Sequence, residues 1–395
     1  MKISVCFLLL LVLTSTAVYA NEPEVYAQAA ILMDAKTGRI LWGKNVNNPM
    51  AMASTTKIMT AILGLESGRG SETVTVSSKA AAAPRMKMFL TSGEKITLDN
   101  LLLALMLESS NDAAVAIAEH LAGSVPAFCA LMTEKARQIG AKDTVFETPN
   151  GLDAGNHHST AYDLAMITRY ALEVPGFIEL TNTPSAVFSS DKRSYSMVNK
   201  NRLLHEFSGA NGVKTGFTGK AGHCFVGAAK RDDMQLISVV LASGWGDKGR
   251  ARKWVDTKAI LNYGFNNFDY EIILQEGEPA GLSSVTRSRT EEVGYIYKTG
   301  LVIPLNADEK ANVELKILVP PMIEAPIAKG DVLGKAEVYL KDQLYTSVDL
   351  IATEDAARHD FQTSLEKVLN QWLGQVTTKP VQVKLSNTAI SPLLK

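Results

Sequence analysis

Ala53-Ser54-Thr55-Thr56-Lys57-Ile58-Met59-Thr60 is the stretch from which the rest of the chain is read. Ser54 and Lys57 open an apolar run that continues to about Ser67, a pattern that predicts a buried helix. On a helix, side chains three apart share one face, with Cβ atoms about 5–6 Å apart. An amine so placed can take the serine's proton, provided the amine is neutral. An ordinary lysine, with a pKa near ~10.4, is charged, so a base role requires burial and a second cation to lower it.

Two further short motifs follow in order, Ser109-Ser110-Asn111 and Lys214-Thr215-Gly216, and Lys214 is a candidate for that second cation. Such motifs also occur by accident. Ser189-Ser190-Asp191-Lys192 and Ser364-Leu365-Glu366-Lys367 repeat the SxxK spacing, and Lys298-Thr299-Gly300 is a second KTG. Context separates them. Ser189 lies in a polar, loop-like stretch, Ser364 on an exposed-looking helix, and Lys298 in a region of different texture. No GxSxG elbow and no Ser/His/Asp set is present, which disfavours an α/β-hydrolase.

Outward from the motifs, Ala29 to Asp34 and Arg39 to Lys44 read as strands joined by a turn at Ala35-Lys36-Thr37-Gly38. Helices follow to about Val174, with start signals at Thr97, Ser124 and Thr160 and a stop at Gly140. Strands return at Val213–Thr218, Ala221–Lys230 and Met234–Ala242, and a helix over about Lys248–Tyr263 covers them. Strands at both ends of a helical block predict an α+β domain whose terminal strands share one sheet.

Beyond about residue 268, alternating runs at Ile272–Leu274, Val293–Tyr297, Val313–Val319, Gly334–Leu340 and Ser347–Ile351 read as a small all-β module. Phe361, Leu365, Val368, Leu369, Trp372 and Leu373 then form one apolar helical stripe. The expected divisions are 1–20, 21–267, 268–352, 353–375 and a tail 376–395.

Composition narrows the function. A net charge of −1 over 395 residues gives no field to attract nucleic acid. Met1-Lys2, the apolar run Val5 to Leu13 and the ending Val18-Tyr19-Ala20 have the layout of a secretory signal over residues 1–20. The run is shorter than the ~20 residues a membrane span needs. Cys129 and Cys224 fall on apolar faces of a helix and a strand and read as buried thiols. The six histidines are scattered and no zinc-type spacing occurs, so no metal and no cofactor is expected. His157 and His158 read as loop residues, and Met86, Met88 and Phe89 as core or cleft wall.

The three motifs together resemble the D-alanyl-D-alanine carboxypeptidases among the low-molecular-mass penicillin-binding proteins. So do Ala30-Ile31-Leu32-Met33-Asp34, Asn150-Gly151-Leu152-Asp153, Asn201-Arg202-Leu203-Leu204 and Ala325-Pro326-Ile327. The resemblance covers about residues 24–375. It implies a β-lactamase/transpeptidase-like domain, with an antiparallel sheet flanked by helices and a helical subdomain, before the β module and the amphipathic helix. It implies export to the periplasm or the outer face of the cytoplasmic membrane, stem peptides of peptidoglycan as substrate and β-lactams as inhibitors.

The roles it implies are Ser54 as nucleophile and Lys57 as base, with Ser109 relaying the proton to the leaving amine. Asn111 would bond the substrate's amide, while Lys214 and Thr215 hold its carboxylate. Gly216 would let the substrate lie beside the strand, and the N–H groups of Ser54 and Phe217 would form an oxyanion hole. Arg250 or Arg252 would add charge near the carboxylate. Ser110, where many relatives have glycine, and the apolar Phe217 after KTG depart from the pattern. A β-lactamase shares the motifs but needs a further base; Glu173 and Glu179 lie in the right interval without the expected loop. A catalytically idle wall-associated protein would not need all these residues. The C-terminal stripe implies contact with the membrane surface, against which the acidic Glu354, Asp355, Asp360 and Glu366 and packing on the β module both weigh.

Overall fold

The computed structural model describes residues 22–359 and 361–376. The signal-like segment 1–20 and the tail beyond residue 376 lie outside the described residues. The chain divides into two compact units, Met1–Tyr270 with Pro304–Ala307, and Glu271–Ile303 with Asp308–Lys395.

In the first unit the strand Ala29–Asp34 is wholly buried, because both faces of its sheet are covered. Ile31 and Met33 enter one apolar cluster with the helices, while Ala30 and Leu32 enter a second under the helix Gly246–Asn267. Five antiparallel strands run in the order Ile40–Lys44, Ala29–Asp34, Met234–Leu241, Gly222–Arg231, Ala210–Thr218. The terminal strands therefore do share one sheet, and the strand carrying KTG is its edge.

The helix starts expected at Thr97, Ser124 and Thr160 are true caps: their hydroxyls accept from Asn100, Ala127 and Asp163 N–H at 3.4, 3.3 and 3.0 Å. Gly140 ends the helix Val125–Ile139 with φ +95°, the left-handed stop that glycine permits.

Ser54 departs from the expected regular helix. Ala53–Thr56 form a 3₁₀ turn, and the α-helix begins only at Lys57 and runs to Glu66. The hydroxyls of Thr55 and Thr56 donate to Met52 O and Ala53 O at 2.7 and 2.9 Å, competing locally with the α-helical pattern. Residues three apart eclipse in a 3₁₀ turn, so Ser54 and Lys57 still face each other.

A hairpin, Ser185–Ser189 paired with Ser194–Val198, replaces the loop read around Ser189. Its outward positions are largely serine, which hides the alternation. Glu94, wholly buried, pins it by accepting from Tyr195 Oη at 2.5 Å and Ser190 Oγ at 2.7 Å.

The second unit is built on a six-stranded sheet. Its order is Val313–Leu318, Val332–Leu340, Gln343–Ala352, Glu292–Tyr297, Pro279–Thr286, Met322–Glu324. Pro279–Thr286 escapes sequence reading because proline, glycine and serine fill it. Lys298 of the second KTG is tied to Asp349 at 3.0 Å in this unit. The helix Phe361–Val376 exposes Leu365, Val368, Leu369 and Trp372, at 47%, 53%, 50% and 76%. No single helix among the described residues is long and apolar enough to cross a membrane.

Candidate active site

Three elements meet at Lys57: the 3₁₀ turn, the N-terminus of the helix Asn111–Ala122 and the loop after Pro149. Lys57 is fully buried, and its Nζ lies 3.0 Å from Ser54 Oγ, 2.8 Å from Asn111 Oδ1 and 2.6 Å from Asn150 O. Burial holds its pKa well below the ordinary lysine range, and the Lys214 cation adds to the effect; Asp112 opposes it. Asp112 is occupied elsewhere, its carboxylate accepting from Met88, Leu90 and Ala113 N–H.

The partner set suits the amine once it is neutral. Two of the three neighbours, an amide oxygen and a backbone carbonyl, can only accept, so they take the two N–H bonds of an uncharged lysine. The third, the Ser54 hydroxyl, can donate, and the amine lone pair is left for it.

Asn111 is fully engaged: beside its bond from Lys57, its Nδ2 donates to Pro84 O at 3.1 Å and Arg85 O at 3.2 Å. Ser109 precedes it with φ +64°, and among the described residues no hydrogen bond joins its hydroxyl to Ser54, Lys57 or Lys214. Ser110 is buried with its hydroxyl unpartnered.

The KTG strand runs beside the serine's turn. A Cβ built on Gly216 would stand 3.0 Å from Ser54 N, which is why a residue without a side chain sits there. Lys214 is buried, with Nζ 3.3 Å from Thr215 O and a pKa lowered to about 7 by burial first and by Lys253 second. Phe217 is half exposed and its ring lies 4.3 Å from that of His223, its cross-strand neighbour.

Lys253 escaped sequence reading. It is buried, is lowered to about 8 by burial above all, and is near enough to Lys214 to repel it. A signal was available: Lys253 shares the helical spacing of the buried Thr257, Ile260 and Gly264. Arg252 lies over the Tyr26 ring at 4.2 Å, whereas Arg250 is largely exposed, 3.7 Å from Asp247 and close enough to influence His223. His157, read as a loop residue, is buried and bonded to Thr56. Met88 is core, while Met86 and Phe89 are exposed. Glu173 and Glu179 are both exposed, and among the described residues no hydrogen bond links either to Ser54 or Lys57.

A sheet flanked by helices, joined in sequence to a β-rich unit, and a serine beside a buried lysine define a serine peptidase of the penicillin-binding-protein fold. The D-alanyl-D-alanine carboxypeptidase family profile matches residues 16–244, and the profile of the penicillin-binding protein 5 C-terminal domain matches residues 268–358. The chain is 30% identical to the D-alanyl-D-alanine carboxypeptidase DacF of Bacillus subtilis over 88% of this chain and 90% of that protein. With DacD of Salmonella typhimurium it shares 31% over 86% and 88%. Among solved structures, penicillin binding protein 5 from Haemophilus influenzae superposes with a TM-score of 0.73 at 30% identity, over 86% of this chain and all of that one. The chain belongs to the D-alanyl-D-alanine carboxypeptidase family and is a serine-type carboxypeptidase.

Proposed function

We propose that Ser54 is the nucleophile of this carboxypeptidase and that Lys57, held neutral, is its base. The observation that carries this is the full burial of Lys57 with its Nζ 3.0 Å from Ser54 Oγ: once Asn111 Oδ1 and Asn150 O take the two N–H bonds of the neutral amine, its lone pair is left for the Ser54 hydroxyl. Ser54 Oγ attacks the carbonyl before the terminal D-alanine, its proton passes to Lys57, and the C–N bond breaks as a proton reaches the leaving amine. Ser109 is the relay for that last transfer, a role that requires its hydroxyl to turn toward Lys57. Water then hydrolyses the ester, releasing the shortened peptide.

The substrate lies along the KTG edge strand, whose unpaired backbone groups can add a further extended segment. Its terminal carboxylate meets Lys214 and Thr215, with Lys253 behind them; Arg250 is the better placed of the two arginines, since Arg252 is committed to Tyr26. Asn111 reaches the substrate's amide by exchanging one of its two carbonyl partners, Pro84 or Arg85. The N–H groups of Ser54 and Phe217 converge on the developing oxyanion. The natural substrate is the stem peptide of peptidoglycan, which places the protein outside the cytoplasmic membrane, and β-lactams acylate the same serine.

Labelled penicillin tests the assignment. A stable adduct on Ser54, absent in Ser54→Ala and Lys57→Ala, is expected; labelling retained in Ser54→Ala refutes it. Rapid turnover with no lasting adduct would favour a β-lactamase instead.

The exposed stripe of Leu365, Val368, Leu369 and Trp372 favours docking of the C-terminal helix on the membrane surface. Ala356 pairs with Ile327, and His359 N donates to Arg287 O at 2.7 Å, so a cut after His359 removes the helix and spares the β unit. Unchanged membrane fractionation of that truncation would sink the docking role.

A further inference from the structure

The residue with the most specific wiring that the catalytic scheme leaves unused is His157. Its Nδ1 faces the backbone N–H of Glu147 at 3.0 Å and can only be an acceptor there. The ring proton therefore sits on Nε2, which donates to Thr56 Oγ1 at 2.9 Å. Thr56 has one hydroxyl proton, and it goes to Ala53 O at 2.9 Å. Each donor in this relay has one acceptor, so the direction of every bond is determined.

The relay ends where the serine's turn is most demanding. Ala53 has φ +50°, a conformation an alanine keeps only when its surroundings hold it. Its carbonyl is also crowded by Gly151, where a Cβ would fall 1.9 Å from Ala53 O. Residues 147–157 thus meet the catalytic turn through His157 at Thr56, Gly151 at Ala53 and the Asn150 carbonyl at Ser54 Oγ, 3.4 Å away, a carbonyl that also lies 2.6 Å from Lys57 Nζ.

We propose that His157 is a positioning residue for acylation: its neutral ring braces the turn that carries Ser54, and a charged ring would release it. A second ring proton would set an N–H on Nδ1 against the N–H of Glu147, so the brace cannot survive protonation. The surroundings agree. Burial lowers the His157 pKa to about 4, with Glu147 and Asp153 opposing and His158 and Lys220 assisting. The edge of the Phe146 ring, 6.0 Å away centre to centre, adds an apolar wall.

The proposal rests on Ser54 being the nucleophile, and the test separates the two. Full-length wild type, His157→Gln, His157→Leu and Thr56→Val are mixed with excess chromogenic cephalosporin, and both the rate and the site of acylation are recorded. Glutamine can accept from Glu147 N–H through Oε1 and donate to Thr56 through Nε2, so His157→Gln should acylate close to the wild-type rate. His157→Leu and Thr56→Val should be slower by roughly 10- to 100-fold, the usual result of a small misplacement of a reacting group. As pH falls through about 4 the wild-type rate should drop more steeply than that of His157→Gln, which lacks the titrating ring.

A folded His157→Leu or Thr56→Val acylating at the wild-type rate would overturn the proposal. So would superimposable pH profiles for wild type and His157→Gln, a result that stands even where His157→Leu fails to fold. An adduct on a residue other than Ser54 in the wild type would instead remove the nucleophile assignment beneath it.

Discussion

Replacing Gly216 with alanine should silence the enzyme while leaving it folded. Gly216 has no left-handed φ, so alanine fits the backbone, and removing a strand glycine is favourable by about 0.5–1 kcal/mol. The added methyl, however, stands 3.0 Å from Ser54 N, 3.1 Å from Ala53 Cβ and 3.1 Å from Met52 O. Those neighbours are backbone atoms and a Cβ, none the end of a flexible side chain, and Met52 and Ala53 are buried. Relief requires the strand and the serine's turn to part by a few tenths of an ångström, which would separate the N–H groups of Ser54 and Phe217, the proposed oxyanion donors. Losing one oxyanion donor costs about 10²–10³ in rate, equivalent to roughly 2.7–4 kcal/mol. Acylation by a chromogenic cephalosporin in stopped flow, and D-alanine release from a D-Ala-D-Ala peptide, should both fall by that order. The small strand gain offsets the strain, so the thermal midpoint should stay within about 4 °C. Unaltered rates in a folded Gly216→Ala protein would show that this close packing does not shape the oxyanion hole.

The pH dependence follows from two lysines with opposite needs. In the proposed scheme Lys57 is neutral, so acylation should rise with pH through its lowered pKa and then level; Lys214 is charged, so kcat/KM for a peptide should fall above about pH 7, while kcat holds because the bound carboxylate keeps Lys214 protonated. An ester substrate lacking that carboxylate should show no alkaline fall, and an identical fall with both substrates would refute the assignment. Glu94 is pushed up by burial but held down further by hydrogen bonds from Tyr195, Ser190 and Thr91, reaching about 2. A carboxylate lowered in the folded state stabilises it above its ordinary pKa of about 4.5, and that contribution is lost as pH falls toward 2. Tyr195→Phe should therefore cost about 1–3 kcal/mol in urea unfolding at pH 7 and less at pH 3, and an equal loss at both would contradict this.

What could be read in the sequence is what depends on side-chain type at short range. The caps at Thr97, Ser124 and Thr160 and the short apolar run Ala29–Met33 before a turn are local patterns, and each predicted its element. The Ser185–Val198 hairpin was hidden because its outward serines imitate a loop, and its pin, Glu94, lies far away in sequence. The geometry of the 3₁₀ turn was hidden too, since threonine hydroxyls bonding backward leave no mark on the hydrophobic period.

The same division runs through the site. Ser54, Lys57 and Lys214 stand out in the sequence as motif residues, and the structure sets Ser54 against Lys57 with Lys214 near enough to lower the amine's pKa, but the neutrality that would make Lys57 a base is not a property of its motif. It is the joint result of burial and of a cation at Lys214 that is itself repelled by Lys253, while the acceptors that orient the amine come from Asn111 and from the backbone of Asn150. A carbonyl can come from any residue, so no motif can announce it. This also explains why the accidental SxxK at Ser189 could carry no base: Lys192 is exposed and its amine bonds Thr91 Oγ1 and Ser92 O, with nothing there to strip its charge.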